Sequence, residues 1–107
     1  MNVVVLMGRL TKDADVRYSA GDSQSAVARM NLAVNRKTGD EADFINLVAF
    51  GRQAEFFERF GKKGTKFVIR GRIQTGSFTD KDGKRIYTTD VIVEDAQFAE
   101  SKKTSEN

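Results

Sequence analysis

The sequence predicts an all-β fold: a five-stranded Greek-key barrel, with one short helix between its third and fourth strands. Three observations carry this. Several segments alternate apolar and polar residues with the two-residue period of a strand. One segment, residues 53–60, switches to helical spacing. An Asp82-Gly83 pair between two alternating runs marks a tight hairpin. A chain of 107 residues suits a single core. We expect one domain over residues 1–100 and a short flexible tail over 101–107, where the apolar pattern stops.

Residues 2–9, NVVVLMGR, are β-branched and apolar and read as a buried strand, with Gly8 near its end where barrel strands bend. Residues 11–25 form a turn-rich connection containing Gly21 and Asp22, with room for a short strand around Val16 and Tyr18. Residues 26–35 alternate: Ala28, Met30, Leu32 and Val34 make a core face, and Arg29, Asn31 and Asn35 lie opposite. Residues 36–41 form a hairpin tip carrying Arg36 and Lys37.

The next strand has an unusual outer face. Ile45, Leu47 and Ala49 suit the core, which leaves Phe44, Asn46, Val48 and Phe50 on the side a solvated strand fills with polar groups. Phe44 and Phe50 stand roughly 20 Å apart on an extended strand. Two rings so spaced suit an extended ligand with flat faces, such as a run of nucleobases. Burial on both faces explains the pattern equally well.

In the helix, Phe56, Phe57 and Phe60 share one face and read as core, while Glu55, Glu58 and Arg59 point outward. Gly61 reads as a left-handed C-cap, followed by Lys62 and Lys63 at the negative end of the dipole. Residues 65–73 form a strand with Phe67, Ile69, Gly71 and Ile73 alternating against Val68, Arg70 and Arg72. Residues 74–78 continue extended through Gly76, where a bulge or a bend is expected. Residues 84–93 return as the partner strand, and Phe98 packs at its end. Closure of such a sheet removes its edges, and the element order matches the OB-fold.

Composition narrows the function. There is no cysteine and no histidine, so thiolate metal sites, disulfides and the usual general base are absent. Carboxylates are scattered without an acid–base pair. We expect no enzyme, no cofactor, no metal and no membrane partner, and a cytoplasmic, nucleoid-associated location. A net charge of +3 and a pI near 9.3 permit an anionic partner. Two motif-like strings are discounted. Residues 61–65, GKKGT, look like a phosphate loop but lack its spacing. Residues 80–83, DKDG, begin like a calcium loop but lack its later ligands.

Five blocks in order, VVLMGRLTKDADVRY, AVARMNLAVNR, EADFINLVAFGRQAE, KKGTKFVIRGRIQTGSF and TDKDGKRIYTTDVIVE, resemble the bacterial single-stranded DNA-binding protein family over about residues 2–99. The resemblance implies sequence-independent binding and protection of single-stranded DNA in replication, recombination or repair by an OB-fold subunit, usually in a homotetramer built as a dimer of dimers. It places stacking aromatics at Phe44, Phe50 and Phe78. The family often has tryptophan at the first and third, so each contact here is expected to be somewhat weaker. A further aromatic of some members falls near Arg36-Lys37, in a loop that is shorter here. Arg52 directly follows the strand that ends at Phe50 and matches a basic family position. With Arg36, Lys37, Arg70, Arg72, Lys84 and Arg85 it completes the candidate phosphate contacts, of which about half are expected to touch nucleic acid. The final residues, ESKKTSEN, lack the family's acidic tip for recruiting replication or recombination proteins and suit a short, tailless member. The competing reading is an OB-fold replication-restart or recombination accessory acting mainly through protein partners.

Overall fold

The computed structural model describes residues 1–19 and 25–99. The expected turn at Gly21 and Asp22 and the tail at 101–107 lie outside the described residues. Six strands and one helix follow in order: β1 (Val4–Leu10), β2 (Asp15–Tyr18), β3 (Ala26–Asn35), β4 (Ala42–Phe50), α1 (Gly51–Phe60), β5 (Lys66–Thr79) and β6 (Arg85–Phe98). The circuit β1-β5-β6-β4-β3 closes through pairing of β1 with β3, giving a five-stranded barrel. The short β2 adds to β3 beside Ala26–Arg29, beyond the point where β1 leaves it. Its count makes six strands, with the helix between the fourth and fifth.

β3 has the expected limits, and Ala28, Met30 and Leu32 are buried. Their core partners are Leu47 and Ala49 on β4, Phe67 and Ile69 on β5, and Val91 and Val93 on β6. α1 covers one end of the barrel and sends Ala54 and Phe57 inside. Phe56, Phe57, Phe60, Phe67 and Phe98 form one cluster with ring centroids 5.2–5.9 Å apart. Tyr18 donates a hydrogen bond to Glu58 and so ties β2 to the helix. That bond, then desolvation and the charges of Glu58 and Glu55, raise the Tyr18 pKa.

Four expectations are corrected. β1 is buried on one face only: Val4 and Leu6 pack on the core, while Val3, Val5 and Met7 are exposed, because no described residue covers this part of the wall. Ile73 is also exposed, because β1 pairs with β5 only as far as Gly71 and the β5–β6 hairpin continues without it. The side chain of Asn2 bridges that point, accepting from the Ile73 N–H at 2.9 Å and donating to its carbonyl at 2.8 Å.

The bulge is not at Gly76, which pairs regularly with Thr88. It lies where Arg70 pairs with Asp95 and Gly71 with Val93, leaving Glu94 as the extra residue. Gly61 is not left-handed, with φ at −83°. It is needed for space, since a Cβ there would stand 2.6 Å from the Phe57 carbonyl oxygen and 2.9 Å from the Ala14 Cβ. Gly8 has a similar role. It pairs with Phe67 just before Arg9, where β1 holds β5 and β3 at once, and a Cβ would stand 2.2 Å from the Ala33 oxygen. The β5–β6 turn forms as expected: Gly83 has φ +83°, and the Asp80 carboxylate accepts from the N–H groups of Asp82 and Lys84. No helix among the described residues is long and apolar enough to cross a membrane.

Candidate nucleic-acid interface

Cross-strand partners share a sheet face, so the register assigns the outer surface row by row. Phe44 lies opposite Ala33, which lies opposite Arg9. Asn46 lies opposite Asn31. Val48 lies opposite Arg29, and Arg29 opposite Asp15. Phe50 lies opposite Val27, and Val27 opposite Arg17. The same face crosses to the other side of the barrel through Val48, Ile92 and Arg72. Alternation along β5 then brings it to Phe78, opposite Ile86.

The three rings therefore share one face, and they are exposed: Phe44 by 66%, Phe50 by 52% and Phe78 by 55%. None packs on another ring, whereas the other five phenylalanines all do. Between Phe44 and Phe50 the surface is polar. Thr11 donates to the Asn31 side-chain oxygen at 3.1 Å, and Asn31 donates to the Asn46 oxygen at 3.2 Å. β4 pairs with β6 only at Leu47 and Val48. On the Phe44 side of that short seam is a largely apolar cleft of about 410 Å³, lined by Val4, Leu6, Ile45 and Ile73 with Asn46 and Asp90. Sequence alternation found Phe44 and Phe50 but not this opening, which depends on how far two distant strands run together.

The candidate cations divide. Arg36 pairs with Glu41 at 2.6 Å and Asp43 at 2.9 Å. Its partner Asp43 lies opposite Val34, on the face away from Phe44. The bond from Arg36 and its charge hold the Asp43 carboxyl below its ordinary range, and the Arg36 pKa is raised in return. Arg70 and Arg72 both approach Glu94, at 3.1 and 3.9 Å, and Arg72 also donates to Gln74. Arg85 donates to the Ser77 hydroxyl at 3.3 Å and stands on the opposite side of the hairpin from Phe78. Lys37, Arg52 and Lys84 are exposed, with no ion pair to a described residue.

The register also brings Arg17 and Arg29 onto the ring-bearing face. Arg29 was legible from alternation within β3. Arg17 was not, because the pairing of β2 is set by a connection without a readable period.

The single-strand binding protein family model matches residues 1–99. The chain is 52% identical over 102 residues to a single-stranded DNA-binding protein of Clostridium perfringens (strain 13 / Type A), covering 94% of this chain and 67% of that protein. It is 49% identical over 111 residues to one of Enterococcus faecalis (strain ATCC 700802 / V583), covering 99% and 58%. It is 46% identical over 111 residues to one of Streptococcus mutans serotype c (strain ATCC 700610 / UA159), covering 99% and 66%. The chain thus spans about two thirds or less of the length of these three relatives. With a closed barrel, a helix at one end and a family match over nearly all its length, the chain belongs to the single-strand binding protein family and has its OB-fold.

Proposed function

We propose that this chain binds single-stranded DNA without sequence preference, by stacking bases on Phe44, Phe50 and Phe78 while cations hold the phosphates. One observation carries the reading: three phenylalanines are more than half exposed on a single sheet face, in a protein that packs its other five against one another. Exposed rings in a row are costly to leave in water unless something covers them, and every base has a face that can. In a duplex those faces are already stacked, so preference for single strands follows. The names of the relatives support the same ligand.

Lys37, Arg52 and Lys84 can engage phosphate directly. Arg36, Arg70, Arg72 and Arg85 must first exchange an internal partner. The role is non-catalytic coating and protection during replication, recombination or repair, on the nucleoid in the cytoplasm. The exposed apolar strip Val3, Val5 and Met7 supports self-association into a homotetramer of two dimers.

Fluorescence anisotropy with labelled oligo-dT and a duplex of equal length, at two salt concentrations, tests this. Tight, salt-sensitive binding to oligo-dT, weak duplex binding and a marked loss in Phe44→Ala/Phe78→Ala are expected. Equal binding of both DNAs, or indifference to removal of the rings, would overturn it.

A further inference from the structure

Resting on that reading of the ring-bearing face, we infer that the phosphodiester backbone of the bound strand runs in a groove on the β2 side of β3, held by Lys12, Arg17 and Arg29. None of these was a candidate from the sequence. The groove consists of two adjoining hollows of about 420 and 240 Å³ that share Asp15 and Arg29. Lys12, Asn31 and Asn46 line the first, and Arg17 and Tyr18 the second.

Its position suits a backbone whose bases lie on β4. Arg29 is cross-strand from Val48, between the rows of Phe44 and Phe50, and Arg17 stands in the Phe50 row one strand further out. Neighbouring strands are about 4.8 Å apart, so these cations lie about 5 and 10 Å to the side of the ring line. That is where the sugar and phosphate of a stacked base project.

The charge fits as well. Among the described residues Asp15 is the only acid lining either hollow, and it already pairs with Arg17 at 3.4 Å, so three cations face one described carboxylate. Lys12 and Arg29 make no ion pair with any described residue. Their charge is not spent on a neighbour, unlike that of Arg36, Arg70 and Arg72. An arginine fork can grip a phosphate through two parallel bonds, and the Asn46 amide adds a neutral donor at the groove's edge.

The test compares two charge-matched pairs: Lys12→Gln/Arg29→Gln in the groove and Lys62→Gln/Lys63→Gln on the exposed turn after α1. Anisotropy of labelled oligo-dT is measured across a salt series. Each phosphate contact on a single strand contributes about 0.7 to the slope of log affinity against log salt, so the groove pair flattens it by about 1.4. The turn pair leaves it unchanged, and both variants keep the wild-type Tm. An unchanged slope in the groove pair, or an equal fall in both pairs, would overturn the groove. Failure of the wild type to prefer oligo-dT over duplex would sink the single-strand reading itself, a distinguishable result.

Discussion

The eight phenylalanines serve two regions in opposite ways. At the helix end, Phe56, Phe57, Phe60, Phe67 and Phe98 touch one another edge to face, tilted or, for Phe67 and Phe98, stacked, and Phe57 and Phe67 are fully enclosed. On the outer face, Phe44, Phe50 and Phe78 touch no ring and remain more than half exposed. The residue is the same and so is its surface. What differs is who removes that surface from water: the chain itself in one region and, in the proposed mode of binding, the bases of a ligand in the other. A ring that the fold does not cover adds little to folding and is free to contribute to binding.

Substitutions can break that division. The largest effect belongs to Phe57→Ala, which opens a cavity in the enclosed cluster and costs about 3–5 kcal/mol of stability. Urea denaturation reads it directly, and oligo-dT binding should survive wherever the variant is still folded. Phe44→Ala, Phe50→Ala and Phe78→Ala invert the pattern. Each leaves stability within about 0.5 kcal/mol and weakens oligo-dT binding by about 1–3 kcal/mol. A large stability loss on removing Phe44 would erase the distinction between the regions.

The smallest effect lies in neither region. Asp43→Asn loosens the Arg36 clamp at the β3–β4 tip. Because the folded Asp43 carboxyl titrates below its ordinary range, its contribution is present above that range and is lost as pH falls through the lowered value. The variant should therefore show a small drop in Tm at pH 7 that disappears in acid.

How far the sequence foretold all this follows from the range of each signal. Alternation is local, so β3, the core side of β4 and the outward rings Phe44 and Phe50 were readable from neighbours two residues away. The helix face of Phe56, Phe57 and Phe60 was readable for the same reason. Phe78 needed the family resemblance, because nothing within its own strand marks it. What was misread depends on distant partners. Gly61 looked like a left-handed cap but is small because Ala14 and the Phe57 carbonyl crowd it. The bulge at Glu94 is a mismatch between two strands, invisible in either alone. Cations were the hardest to rank. Whether an arginine is free turns on a carboxylate such as Glu94, 24 positions away from Arg70, and whether it shares the ring face turns on register.

The double pairing of β1 beside Gly8 also bears on time. The β5–β6 hairpin is local: its ladder closes outward from a tight turn and forms in about 1–10 μs. β1 pairs with Gly71 from Val4 and with Ala33 from Arg9, so its docking must close long stretches of chain, with the entropy that such closure loses. The barrel is complete only when this strand is seated, and it can seat against both neighbours only where its backbone meets the Ala33 carbonyl without a side chain between them. The missing side chain at Gly8 thus decides whether the barrel can close at all.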